Sequence, residues 1–131
     1  MQYIWDDFIS KSCGGTIFHL QQFLSYHISR QFIDSSLLFY ENKSLVAVLP
    51  AAIIKDNNGM FLCSHPGASF GGFIIKSPGY SRCVKILDCF DAFCYKNKIK
   101  AFSFTLSPKC YYPNYNNILE YVLHLKKFVV V

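Results

Sequence analysis

The stretch Ser64-His65-Pro66-Gly67-Ala68-Ser69-Phe70-Gly71-Gly72 gathers three glycines, two serines and a histidine between the apolar runs Met60–Cys63 and Phe73–Ile75. Glycine tolerates positive φ and lacks the Cβ that holds other groups away from the main chain. Placed between strands, such a segment offers exposed backbone to a ligand, and Ser64, His65, Gly67, Ser69, Phe70, Gly71 and Gly72 are candidates to line a substrate cleft. A wide turn with glycines at sterically demanding positions accounts for the same residues. His65 could serve as a base, because imidazole titrates near neutrality. A loop histidine bonded to backbone is the plainer reading. Tyr111 and Tyr112 follow a strand end, where a phenol could reach substrate or simply pack a Pro-rich loop, and Tyr112 is the second catalytic candidate. There is no Gly-Lys-Ser/Thr ending and no GxGxxG spacing, so the segment is neither a P-loop nor a dinucleotide fingerprint.

The elements that would hold these residues follow from periodicity. Trp5, Phe8, Ile9 and Ser12 fall on one face of a helix over 5–12, with Asp6 and Asp7 suited to its positive start. Gly14-Gly15 stops it. Leu20, Phe23, Leu24 and His27 predict a second helix over 17–27. Residues 36–41 and 45–54 then read as a hairpin about Asn42-Lys43, and Asp56-Asn57-Asn58-Gly59 turns the chain into Met60–Cys63. The expectation is a meander of three antiparallel strands leading through the glycine-rich segment into Phe73–Ile75, with Pro50 at a bulge or an edge. A long helix over 81–97, with Cys83, Val84, Leu87, Phe90 and Cys94 inward, precedes a strand over 100–106 that puts Phe102 and Phe104 on one face. A helix over 116–126 follows. Phe128-Val129-Val130-Val131 reads as a final strand without a polar cap, either a short edge strand that completes the sheet or, the favoured reading, one that pairs with a second copy or with a further domain.

Composition sets bounds on function. The 131 residues make one domain over 1–131, and 52% apolar with 18% aromatic content is that of an ordered globular chain. A net charge of +5 is spread thinly and only two arginines are present, so nothing matches a nucleic-acid reader. An anionic small molecule suits the modest positive excess. The six cysteines form no CxxC pair, and the N-terminus lacks the pattern of a secretory signal, so reduced thiols in a cytoplasmic protein are expected and no metal site is assigned. Cys83, Cys89 and Cys94 are read as small buried hydrophobes of the long helix. The apolar run 45–54 is too short to cross a bilayer and contains Pro50.

The element order, helix–helix–three or four strands–helix–strand–helix–strand, resembles the GNAT acyltransferase fold, an α/β (α+β) architecture with a central mixed, mostly antiparallel sheet flanked by helices. Trp5-Asp6-Asp7-Phe8-Ile9, Gly15-Thr16-Ile17-Phe18-His19, Ser36-Leu37-Leu38-Phe39-Tyr40, Leu45-Val46-Ala47-Val48-Leu49-Pro50-Ala51 and the segment 64–72 look like the N-terminal part of Fem-like GNAT proteins, which include peptidoglycan-bridge aminoacyltransferases and acyltransferases of surface-polysaccharide synthesis. The resemblance implies N-acyl transfer, acetyl or aminoacyl, from an acyl-CoA or an aminoacyl-tRNA to an amino sugar or cell-envelope amine. It implies a donor arm between the strands at 73–75 and 100–106. The donor phosphates would lie at the following helix start, on Ser77, Gly79, Tyr80, Ser81 and Arg82. The amine would attack directly, with the protein supplying position, an oxyanion donor and proton transfer. It also implies that this chain is the first half of a two-domain architecture. Two motifs depart from the family pattern. The phosphate loop is reduced to Ser77-Pro78-Gly79-Tyr80-Ser81-Arg82, and Leu123 and Lys127 stand where a tyrosine and a glycine are expected. A non-catalytic binding or dimerisation module that kept the fold is the alternative.

Overall fold

The computed structural model describes residues 2–25 and 32–129. The elements are α1 (Gln2–Ser10), a 3-10 turn (Ile17–His19), α2 (Gln21–Leu24), β1 (Ile33–Asp34), β2 (Leu37–Glu41), β3 (Ser44–Leu49), β4 (Ala51–Asp56), β5 (Gly59–Ser64), β6 (Ile74–Ile75), α3 (Tyr80–Lys96), β7 (Ile99–Ser103) and α4 (Ile118–Leu125). The fold is mixed α/β. Helices α3 and α4 cover one face of the strands, and α1 with α2 covers the other.

The expected meander divides at Pro50. One ladder has the order β2-β3-β6 and the other β1-β4-β5-β7. Pro50 lies at neither an edge nor a bulge. It is buried between β3 and β4, where its missing N–H interrupts the pairing. The register nevertheless runs through the interruption, because Asp34 faces Ala52 and Leu37 faces Leu49, three steps along each strand. The Ser35 N–H donates to the Ala51 carbonyl and the Ala51 N–H to Ser36 Oγ, so the gap is bridged on that side.

On the other side the register jumps. Ala51 faces Ser64 and Val48 faces Ile74, so three steps on one strand oppose ten on its neighbour and seven residues are extruded. The extruded residues are those of the glycine-rich segment. Among the described residues the β5–β7 pair is parallel and the other pairs are antiparallel.

Alternation sets the two cores. Ala47, Leu49 and Ala51 join Leu62, Phe73 and Ile75 against Cys83, Ile86, Leu87, Phe90 and Cys94 of α3 and Val122 and Leu123 of α4. Val48 and its cross-strand partner Ile74 point the other way, against Trp5, Phe8, Ile9 and Leu24. Val84 is half-buried beside the first cluster. Cys89, read as buried, is exposed, because it lies off the core-facing stripe of α3. Burial raises the thiols of Cys83 and Cys94, the latter to about 11, as expected of inert core cysteines.

Two helix expectations are corrected. The helix read over 17–27 is broken at Leu20, whose ψ of 138° is extended, and α2 starts afresh at Gln21. The break is held from both sides. Thr16 and His19 form a capping box on the 3-10 turn, and Asp6 Oδ1 accepts the Gln21 N–H at 2.8 Å. Asp6 therefore caps α2 rather than α1, and Asp7 pairs with Lys11. His27 lies outside the described residues.

At the other end, Phe128 and Val129 do not form the expected strand. Lys127 takes φ 63°, its N–H donates to the His124 carbonyl, and the Phe128 N–H reaches back to Leu123, a Schellman ending to α4. This reversal folds Phe128 onto Phe102, with ring centroids 4.9 Å apart. The side chain read as an exposed edge is thus packed against the core. Val130 and Val131 lie outside the described residues.

Candidate functional site

The excursion between β5 and β6 is a closed structure. Pro66 and Gly67 occupy the centre of a type II turn, with Gly67 at φ 89° and the Ala68 N–H bonded to the His65 carbonyl at 3.0 Å. At its base the Gly71 N–H donates to the Thr105 carbonyl, and the Thr105 N–H donates to Ser64 Oγ, both at 2.9 Å. Gly71 and Gly72 are buried and outside the left-handed region. Their need for glycine is one of room: a Cβ on Gly72 would stand 2.3 Å from Leu106 Cδ2, and one on Gly71 3.1 Å from Ser64 Cβ. His65 is buried edge-on to Phe32. Phe70 packs on Phe18 and Tyr111, while Gly67 and Ser69 sit exposed at the tip. The segment ties the end of the β7 strand to β5 and β6.

A cavity of about 350 Å³ opens beside it, between β6 and the chain that follows β7. Phe73, Ile75 and Leu106 form its apolar wall, with Leu119 of α4 closing the side. The polar wall carries Lys11, Ser12, Cys13, Lys76, Ser107, Tyr112, Asn114, Tyr115, Asn116 and Glu120. Of the residues expected to do chemistry, Tyr112 and Ser77 are brought together here, and Pro78 of the shortened phosphate loop joins them. Ser64 through Gly72, His65 included, are not in this lining.

Tyr112 is positioned by Gly14. The ring lies where a Gly14 side chain would stand, since a Cβ there would be 2.3 Å from Tyr112 Cε1, and Gly14 itself has φ 82°. The Gly14 N–H donates to the Tyr111 carbonyl at 3.2 Å and joins the two loops. Gly14→Ala should therefore lower stability by about 1–2 kcal/mol from the left-handed backbone alone and shift the Tyr112 ring. Urea unfolding measures the first effect and near-ultraviolet circular dichroism the second. An unchanged midpoint with an unchanged tyrosine spectrum would contradict this placement.

Burial raises the Tyr112 phenol and outweighs the opposing pull of the neighbouring Ser107 hydroxyl, with Glu120 adding to the rise. Desolvation and the Glu120 carboxylate push Tyr115 up to about 12. Both phenols are neutral at physiological pH and can donate a proton in a hydrogen bond. Ser107 Oγ and Tyr115 Oη are buried, and neither completes a hydrogen bond of ordinary geometry among the described residues.

The rest of the expected phosphate loop faces elsewhere. Arg82 donates through Nε and Nη2 to Glu41 Oε2 at 3.1 and 2.9 Å, and through Nη1 to the Lys76 carbonyl at 2.7 Å. The guanidinium holds the Glu41 carboxyl below the usual carboxylate range. Together with Leu38, Phe39 and Lys85 the pair lines a second, open groove between β2 and α3. Gly79 is the N-cap of α3, with extended φ and ψ, no side-chain cap and open space where a Cβ would be. Tyr80 and Ser81 are exposed, and the Tyr80 ring lies 6.5 Å from that of Tyr121.

Among the described residues no three His, Cys, Asp or Glu side chains are grouped to hold a metal ion, and no helix is long and apolar enough to cross a membrane. Lys11, Ser12 and Cys13, which complete the cavity from the turn after α1, were missed in the sequence because no periodic or motif signal links that turn to residues 107–120. The adjacency of Gly14-Gly15 to it was the one available sign of close packing. No protein-family model, curated protein or solved structure matches the chain.

Proposed function

We propose that this chain is a GNAT-type, Fem-like acyltransferase domain that takes part in N-acyl transfer, acetyl or aminoacyl, to an amine of an amino sugar or cell-envelope precursor. The observation that carries the reading is the position of the cavity. It lies between the residues 73–75 and the chain that follows β7 at Leu106 and Ser107, with Ser77 and Tyr112 in its wall. Such a cleft could admit the extended arm of an acyl-CoA, with Ser77 of the loop that precedes α3 in its wall and Gly79, Tyr80, Ser81 and Arg82 outside it. An acyl transfer of this kind needs no enzyme nucleophile, and the neutral Tyr112 phenol in the cavity wall supports taking it as the proton donor. The free thiols Cys13, Cys63, Cys83, Cys89, Cys94 and Cys110 are compatible with work in the cytoplasm.

The second reading is a non-catalytic binding or dimerisation module, and Arg82 favours it. Its guanidinium is engaged by Glu41 and a main-chain carbonyl, and Pro78 removes one N–H donor from the loop. Thermal unfolding with acetyl-CoA separates the two. A donor site saturated a hundredfold over Kd gives about 2.7 kcal/mol, or several degrees. Acetyl-CoA should raise the midpoint, and Tyr112→Phe should keep that rise while lowering transfer to glucosamine. A folded protein whose midpoint does not move with acetyl-CoA or other acyl-CoAs would sink the donor site on this chain and leave the binding module.

A further inference from the structure

The cavity's polar corner has a composition of its own. Glu120 is the one carboxylate in the lining, and no cation pairs with it among the described residues. The rings of Tyr112 and Tyr115 meet beside it, with centroids 5.7 Å apart at 75°. Ser107 Oγ is nine-tenths buried in the same wall and Tyr115 Oη is buried, each without a hydrogen bond of ordinary geometry among the described residues. The Ser107 hydroxyl lies against the Tyr112 phenol and the Tyr115 hydroxyl against the Glu120 carboxylate, so both oxygens keep lone pairs that can accept donors from a ligand. Lys109 Nζ stands 4.9 Å from the centroid of the Tyr115 ring, which shows that ring holding a cation.

We propose that Glu120, Tyr115 and Ser107 form a subsite for a primary ammonium group, carried by a hydroxylated small molecule that fills the rest of the cavity. The chemistry matches donor for acceptor. An ammonium has three N–H donors and no acceptor. The corner offers the Glu120 carboxylate and two hydroxyl oxygens, with aromatic rings beside them that favour a cation. Asn114 and Asn116 in the same wall can donate to and accept from hydroxyls further along the molecule. Of the lysines in the lining, Lys11 is paired with Asp7, and Lys76 stands on the β6 side with Ser77. The inference rests on the acyl-transfer reading only in that the ammonium would be the acceptor's amine before it loses its proton. The subsite itself needs no donor.

Glucosamine and glucose test it, because they differ by an ammonium in place of a hydroxyl. Titrated at neutral pH and followed by amide chemical shifts, glucosamine should perturb Gly14, Ser107, Tyr112 and Glu120, and glucose should bind at least about tenfold more weakly. Glu120→Gln removes the charge from an exposed position and should remove that preference with the fold intact. Lys126→Gln, outside the cavity lining, should leave it unchanged. Equal binding of the two sugars, an undiminished preference in Glu120→Gln, or no perturbation by glucosamine would each overturn the subsite. A parallel acetyl-CoA titration distinguishes the failures. Donor binding without a glucosamine response sinks the ammonium subsite alone, and loss of both sinks the acyl-transfer reading with it.

Discussion

Phe90→Ala is expected to destabilise the protein by about 3–5 kcal/mol, the range for truncating a fully buried phenylalanine. Phe90 is wholly buried on α3 and its ring touches three others edge-on or nearly so: Phe73 at 5.5 Å, Phe102 at 5.0 Å and Phe104 at 5.5 Å. These rings come from the residue before β6 and from the chain of and beyond β7, so the substitution empties the point at which these segments meet α3. Partial collapse would draw Phe73 out of the cavity wall it also forms. A domain of this size has only about 5–15 kcal/mol to lose, and the midpoint should fall by roughly 10–20 °C. Tyr95→Ala on the same helix, at a side chain 89% exposed, should change it little. Thermal unfolding of the pair is decisive. A loss below about 1 kcal/mol for Phe90→Ala, a size usual for surface changes, would mean that the aromatic cluster is not the core.

That cluster was readable in the sequence because its signals are local and periodic. Cys83, Leu87, Phe90 and Cys94 recur at helical spacing, and Phe102 and Phe104 alternate as strand residues must. The hairpin turns were equally plain: Asn42 and Lys43 take φ 48° and 65°, as a two-residue loop demands, and Asp56 Oδ1 accepts the Asn58 N–H. What escaped depends on distant partners. Pro50 signals a missing donor but not that Ser36 would supply Oγ on the far side of the gap. The glycine-rich segment signals room, but that the room is taken up by Leu106 and Thr105 is a fact of the register jump between two ladders. The break at Leu20 is likewise fixed by Asp6, fifteen residues before the Gln21 N–H that it accepts. For the site, Tyr112 and Ser77 were visible as residue types at element ends. Their meeting in one cavity with Ser107, Tyr115 and Glu120 is set by how residues 107–117 fold back, and no spacing rule encodes that.

Acidification should cost this fold stability through His19, over a window that its own surroundings define. His19 is wholly buried, and burial lowers its pKa from 6.5 to about 4. Nδ1 accepts the Thr16 N–H at 3.1 Å and lies 2.9 Å from Thr16 Oγ1, which in turn accepts the Phe18 N–H, so the neutral ring carries its proton on Nε2. Nε2 has no hydrogen-bond partner among the described residues. Protonation at Nδ1 would therefore abolish the capping box and leave a cation unsolvated beside Trp5, whose indole N–H donates to the His19 carbonyl. The folded state thus binds the proton less readily than the unfolded chain. Stability from this group is complete above pH 6.5 and is lost as the pH falls from 6.5 to about 4, by about 2–3 kcal/mol between neutrality and pH 4.5. His19→Asn keeps an acceptor oxygen near the Nδ1 position and cannot titrate. It should be less stable than the unmodified chain at pH 7, because a smaller side chain leaves a cavity. At pH 4.5 that deficit should shrink by the same 2–3 kcal/mol or reverse. Urea unfolding of both proteins at the two pH values checks it, and the comparison cancels every other titrating group the two share. An equal deficit at both values would show that His19 enters the fold as easily charged as neutral.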